Sequence, residues 1–342
     1  MDEDKLNEFL GKMVGDLGAA VSAALVLTGD KLGLYKTLAK DGPLSSEKLA
    51  TRSGTTERYV REWLAAQAAS GYVEYDADQN TFSMSPEQVA VFADDDNPVN
   101  MTGGFYSLAA VVKGEPKVTD AFRTGEGISW GDHDGCLFCG TEKFFRPGYK
   151  ANLTTSWIPA LDSVDEKLKK GALVADIGCG FGASTIVMAE AYPKSKFFGF
   201  DFHDPSIVHA REAAEKSGLS NIRFETVTAG KSPSSEYDLV AFFDCLHDMG
   251  DPVGAMSHAR KILKPDGTCL LVEPFAHDTL AENLNPLGRV FYSFSTTACT
   301  PGALSQEGGM ALGAQAGEAR LKKVATDAAS LGSGARRRRP ST

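Results

Sequence analysis

Three short segments carry residues whose types and spacing suit chemistry on a bound small molecule. The first is Val174-Ala175-Asp176-Ile177-Gly178-Cys179-Gly180-Phe181-Gly182-Ala183. An apolar run enters a glycine-rich turn and then a helical pattern; the glycines permit the tight turn and let a ligand approach the main chain. The pair Gly178 and Gly180 alone is a weak signal, and with Ala183 it also satisfies a relaxed dinucleotide fingerprint. The second is Asp201, which ends the apolar run Phe197-Phe198-Gly199-Phe200 and lies nineteen residues past Gly182 (201 − 182). An acid at that distance from the loop is spaced to accept both hydroxyls of a ribose. The third is Asp244-Cys245-Leu246-His247-Asp248-Met249-Gly250-Asp251-Pro252. In open α/β sheets ligands sit at the carboxyl ends of the strands, so Asp244 and His247 fall beside the ligand. A histidine there titrates near neutral pH and suits proton removal.

The elements that must hold these residues are legible from periodicity. Leu173–Ile177, Lys196–Phe200, Ile222–Val227, Leu239–Phe243 and Thr268–Val272 are apolar runs separated by helical patterns. That alternation predicts an α/β fold with a Rossmann-like, doubly wound parallel sheet over residues 166–327. Residues 1–95 read differently. A helical pattern over 5–40 breaks at Thr28-Gly29-Asp30, Ser45 caps a short helix, and Thr55 or Thr56 caps a longer one carrying Tyr59, Val60, Trp63 and Leu64. Tyr72–Tyr75 and Thr81–Met84 then form a hairpin. Helix, helix, turn, helix, hairpin is the winged-helix order. Residues 96–165 are expected to be a linker and cap lining an acceptor pocket. They include the aromatic run Phe144-Phe145-Arg146-Pro147-Gly148-Tyr149.

The pattern Asp-x-Gly-x-Gly-x-Gly at 176–182 resembles the first motif of class I S-adenosylmethionine (SAM)-dependent methyltransferases. His247-Asp248 followed by Asp251 looks like the His-Asp-x-x-Asp segment of plant-type small-molecule O-methyltransferases. From about residue 15 to about 325 the chain is similar to bacterial members with an N-terminal winged helix, the mycobacterial branch among them; Asn283-Leu284-Asn285-Pro286 adds to this likeness. The resemblance implies SAM as cofactor. Gly178, Cys179 and Gly180, with Asp176 ahead of them, would cradle its aminocarboxylate end. Asp201 would take the ribose and Phe202 the adenine, and Asp244 with Cys245 would lie near the amino group. Tyr149 would reach the cofactor, while Phe144 and Phe145 would line an apolar acceptor site. His247 would remove the acceptor's proton, steadied by Glu273 at the end of the fifth strand and flanked by Asp248. In this family the winged helix is a dimerisation domain, so a homodimer is implied.

Two departures stand out. After the third strand, where an acceptor for the adenine amino group is expected, the chain reads Val227-Thr228-Ala229-Gly230. Either Thr228 substitutes, with Ala229 beside it, or that hydrogen bond is missing. Residues 328–342 read as an aberrant basic tail, with Arg336–Arg339 and no strand pattern, so the family's final strands are expected to be missing; a frameshift after about Asp327 would explain it.

Composition excludes other classes. The net charge is −10, and residues 1–95 hold nine Lys/Arg against sixteen Asp/Glu, 9 − 16 = −7. DNA binding leans on phosphate neutralisation by basic residues, which weighs against a winged-helix regulator and leaves no nucleic-acid partner expected. An NAD-dependent oxidoreductase is disfavoured by Asp176 and by the 244–252 segment, and an inactive SAM-binding protein is the remaining alternative. Cys136, Cys139 and His133 lack the fourth ligand that structural zinc requires, so no metal is expected. The acidic start and the lack of a long apolar run predict a cytoplasmic protein without a membrane partner.

Overall fold

Caps and glycines set the helix ends in the computed structural model, which describes residues 1–233 and 236–331. Helix α1 (Glu3–Lys31) starts where the Asp2 carboxylate accepts from the Lys5 N–H and ends ahead of Gly33, whose φ is +67°. The helix therefore runs through Thr28-Gly29-Asp30 rather than breaking there. Gly29 is small for packing, not for turning: a Cβ on it would lie 2.5 Å from the Trp63 ring. α2 (Leu34–Asp41), α3 (Ser46–Ser53) and α4 (Glu57–Ala69) follow, with Ser45 capping α3 by accepting from the Lys48 N–H. The antiparallel pair β1 (Glu74–Asp76) and β2 (Thr81–Ser83) sets Tyr75 opposite Phe82. A reciprocal capping box of Ser85 and Gln88 opens α5 (Pro86–Phe92). Helices α6 (Thr102–Lys113), α7 (Glu115–Thr124) and α8 (Gly135–Asn152) follow.

Residues 1–110 with 139–151 form one compact unit, and residues 111–138 with the chain from 152 onward form a second. The first is cored by Leu34, Tyr35, Leu38, Leu49, Trp63 and Leu64. Burial of each large apolar side chain contributes roughly 1.5–3 kcal/mol before entropy is counted. Asp30, at the end of α1, accepts from Tyr106 Oη and Lys143 Nζ at 2.9 Å each. That pairing satisfies a nearly buried carboxylate and ties α1 to α6 and α8.

The second unit is built on a sheet of five parallel strands: β3 (Leu173–Ile177), β4 (Lys196–Asp201), β5 (Ile222–Thr226), β6 (Tyr237–Phe243) and β7 (Leu263–Val272), in the order β5-β4-β3-β6-β7. Helices α9 (Val164–Lys170), α10 (Ala183–Ala191), α11 (Asp204–Lys216) and α12 (Pro252–Ile262) alternate with the strands. β6 is buried along its whole length, as a central strand covered on both faces must be. Because β4 lies on one side of β3 and β6 on the other, the connections diverge there and open a crevice at the strands' carboxyl ends.

After β7 come α13 (Pro286–Phe294), a π-helical turn Ser295–Cys299, α14 (Thr300–Leu304) and α15 (Glu318–Leu331). Asn285 caps α13 by accepting from the Gly288 N–H, and buried Asn283 bonds both backbone groups of His277. α15 includes residues 328–331, with Ala328 buried and Arg260 donating to the Ala329 carbonyl at 2.7 Å. The basic run Arg336–Arg339 lies outside the described residues. Among those described, no strand follows β7.

Candidate active site

The three loop glycines do different work. Gly178, Gly180 and Gly182 all have positive φ, at 72°, 53° and 81°. A Cβ on Gly182 would strike the Phe224 ring at 2.6 Å, and one on Gly178 would meet Cys245 Sγ at 2.7 Å. These two allow close packing of the loop against its own domain. Gly180 has nothing within 4 Å of its Cβ position, so its backbone borders open space where a ligand can approach.

Two carboxylates fix the loop. Asp176 is fully buried; its Oδ2 accepts from Ser184 Oγ at 2.6 Å and Thr185 Oγ1 at 2.7 Å, on the first turn of α10. Burial pushes its carboxyl up to about 6 despite those two donors. Asp201 ends β4; its Oδ2 accepts from the Gly180 N–H and its Oδ1 from the His203 N–H, both at 2.9 Å. Burial raises this carboxyl too, while the backbone donors pull it back. Phe202, next in the chain, is 44% exposed. Thr228 is exposed after β5, and Ala229 packs on the sheet core.

At the end of β6, Asp244 holds φ +51° and donates its N–H to the Val272 carbonyl at 2.8 Å. A left-handed non-glycine residue costs on the order of 1–2 kcal/mol, and such costs cluster at functional sites. Cys245 Sγ donates to the Ile177 carbonyl at 3.1 Å, so this thiol ties β6 to the root of the glycine loop. Burial holds it well above the usual thiol range.

His247 is buried, and both ring nitrogens face acids. Nδ1 pairs with Glu273 Oε2, and Glu273 Oε1 accepts from the Leu246 N–H at 2.8 Å. Nε2 lies 3.2 Å from Asp248 Oδ1. Burial opposes charge on the imidazole, but Asp248 and Glu273 outweigh it and hold the ring well above its ordinary range. Asp248 is raised by burial and pulled back by His247.

The structure adds residues that local pattern did not reveal. Cys299, at the end of the π-helical turn, brings its Sγ within 4.8 Å of His247 Nε2 and Asp248 Oδ1. Gln306 donates to the Asp248 carbonyl at 2.8 Å and accepts from the Gly250 N–H. Around the glycine loop, Phe138 packs against Trp130, Phe181 and His203, and Phe181 stacks on His209 at 4.0 Å. An aromatic cluster of this kind was detectable only as isolated rings in the sequence. Phe144, Phe145 and Tyr149 belong to the first unit, where Phe145 stacks on Tyr149 and meets Phe144 edge-on.

Residues 168–308 match a methyltransferase domain family, and residues 19–93 match an Rv2258c-like winged helix-turn-helix domain. The chain carries a methyltransferase domain behind a winged helix-turn-helix domain. Its fold is similar to that of a candidate O-methyltransferase from Nostoc punctiforme, with a TM-score of 0.70 at 17% identity over 93% of this chain and 92% of that one. Human N-acetylserotonin methyltransferase, solved in complex with SAM, gives 0.66 at 18% identity over 93% and 91%. In sequence, the methyltransferase domain is similar to malonyl-[acyl-carrier protein] O-methyltransferase of Paenibacillus sp. (strain JDR-2), at 27% identity over 35% of this chain and 45% of that protein. The chain spans about half the length of the curated relatives it matches.

Proposed function

We propose that this chain transfers a methyl group from SAM to an oxygen of an apolar or aromatic small molecule. The observation that carries this reading is the buried His247–Glu273 pair at the ends of β6 and β7, in the same domain as a glycine loop whose Gly180 borders open space. The residues fit SAM. Backbone at Gly178, Cys179 and Gly180 can meet its aminocarboxylate end, with Asp176 holding the loop from behind. The Asp201 carboxylate can exchange its backbone donors for ribose hydroxyls, Phe202 offers an exposed ring to the adenine, and Asp244 offers an acceptor to the amino group. Thr228 supplies the hydroxyl after β5. When bound, SAM supplies an electrophilic methyl on a sulfonium.

Glu273 fixes the His247 tautomer by accepting at Nδ1, which leaves Nε2 to take the acceptor proton. In the structure Nε2 faces Asp248, so an acceptor hydroxyl must enter between them. Positioning of the acceptor would supply most of the acceleration, with the base adding about 10²–10⁴-fold. Calorimetric titration with SAM tests the cofactor half: saturable binding at one site that weakens in Asp201→Ala supports it, and a folded chain that binds no SAM rules it out.

We also propose a homodimer formed through the N-terminal domain. Phe9, Leu10, Met13, Val14, Leu17 and Val21 on α1 are 44–71% exposed, an apolar face that a second copy would cover. Among the described residues, α1 is the one helix long and apolar enough to cross a membrane, but Lys12 and Asp16 pair across its middle at 2.7 Å, which favours a helix partner in water and a cytoplasmic protein. Leu17→Glu should shift the chain to monomer in sedimentation; an unchanged dimer would place the interface elsewhere. DNA is disfavoured as a partner because Arg58 and Arg61 on α4 pair with Glu62 and Glu57 of the same helix.

A further inference from the structure

Three unlike donor atoms converge beside the ends of β6 and β7. His247 Nε2, Asp248 Oδ1 and Cys299 Sγ all lie within 4.8 Å of one another, and the first two are 3.2 Å apart. Zinc holds such atoms at roughly 2.0–2.3 Å, which places tetrahedral neighbours about 3.3–3.8 Å from each other. The cluster thus needs only small side-chain adjustments to close on an ion.

Each donor has an independent reason to be read as a ligand. His247 has its other nitrogen on Glu273, which is itself held by the Leu246 N–H at 2.8 Å. A carboxylate behind the imidazole is the arrangement that orients metal-binding histidines and raises their basicity. Asp248 Oδ1 is sealed from solvent, with His247 Nε2 3.2 Å away and Cys299 Sγ within 4.8 Å; the groups it meets are the other two donors, and buried charges are kept where they are paired or coordinate a metal. Cys299 is delivered by a π-helical turn, Ser295–Cys299, a local irregularity that recurs at functional sites. Gln306 holds the Asp248 carbonyl and so fixes the backbone of that ligand.

We propose that His247, Asp248 and Cys299 form a binding site for one soft divalent cation of the Zn²⁺ type. A nitrogen, an oxygen and a sulfur donor suit zinc and not magnesium or calcium, which take oxygen ligands. Three protein ligands leave a fourth position open, as in zinc sites that exchange a small molecule. On binding, the Cys299 thiol gives its proton to solvent, and any proton on Nε2 leaves too. Thiolate and carboxylate together then neutralise the ion's charge. The site rests on this geometry and not on methyl transfer. It has one consequence for that reaction: an ion on Nε2 occupies the nitrogen that would accept the acceptor's proton, so zinc should inhibit.

The test is titration of the chelator-treated full chain with Co²⁺, followed by absorbance. The site predicts one equivalent bound, with the near-ultraviolet thiolate-to-cobalt band and the intense visible bands of a tetrahedral ion. Cys299→Ser should abolish the thiolate band, while Cys139→Ser, which alters an exposed thiol, should leave it intact. Glu273→Gln should weaken binding by about 10–100-fold. If Cys299→Ser does not fold, Asp248→Asn reads the same equilibrium and should lower the affinity with the thiolate band retained at saturation. Absence of stoichiometric binding, or a band that survives in Cys299→Ser, overturns the site. A chain that binds cobalt in this way but methylates nothing keeps the metal site and loses the proposed reaction.

Discussion

The glycine loop and the His247 cluster stand at the ends of neighbouring strands, β3 and β6, yet they are assembled on different scales. The loop is local. Its glycines, Asp176 and the Ser184–Thr185 turn lie within ten residues, and Asp201 closes it from the adjacent strand. The cluster draws on four separated segments: Leu246–Asp248, Glu273, Cys299 and Gln306. The loop offers mainly backbone groups, which a substitution can displace but not delete. The cluster offers ionisable side chains, each of which one substitution removes. Substitutions in the first region should therefore change stability and cofactor affinity, and those in the second should change chemistry.

The largest expected effect lies in the cluster. His247→Ala should lower methyl transfer by about 10²–10⁴-fold, with SAM affinity within threefold of the parent by calorimetry. A parallel loss of SAM binding would mean the two regions are one coupled site. In the loop, Gly182→Ala should cost about 2–4 kcal/mol, because a Cβ meets the Phe224 ring at 2.6 Å and the residue holds φ +81°. Thermal unfolding reads this directly, and an unchanged midpoint would show that Phe224 moves aside freely.

Asp176 sharpens the same contrast through pH. Its carboxyl is raised by burial to about 6, so the folded state holds the proton more tightly than the unfolded chain does. The charged form is then a cost to folding that is fully present above about pH 6 and relieved as pH falls toward the unfolded value. Measured against Asp176→Asn, the parent should gain stability between pH 7.5 and 4.5, by on the order of 2 kcal/mol. A gap that stays flat across that range would show that burial does not raise this group. The smallest effect belongs to Asp201→Ala, which should weaken SAM binding by about 10–100-fold, the loss expected for hydrogen bonds to a charged group. Unaltered affinity would remove Asp201 from the ribose.

What the sequence disclosed follows the same division of scale. The five strands, the glycine loop and Asp201 were readable because their signals are periodic or close in the chain. His247 was readable from its place at the end of the fourth strand, while its role as base and its pairing with Glu273 came through likeness to a known pattern. Cys299 and Gln306 were not, since 299 − 247 = 52 and 306 − 247 = 59 residues separate them from the histidine, and neither lies in a recurrent motif. Gly29 misled for a different reason. Glycine serves both as a turn former and as space for a neighbour, and only the Trp63 ring packed against it distinguishes the two. The aromatic cluster of Trp130, Phe138, Phe181 and His203 likewise depends on segments that meet only after folding.

The most direct measurement is incubation of the purified chain with methyl-labelled SAM and a panel of phenolic and alcoholic small molecules, followed by mass spectrometry. The proposed reaction predicts a labelled O-methyl product with at least one aromatic acceptor, formed by the parent and lost in His247→Ala. Product formed equally by both proteins would contradict the assignment of His247 as base. A chain that binds SAM saturably yet labels no oxygen in any acceptor would contradict the proposed reaction itself.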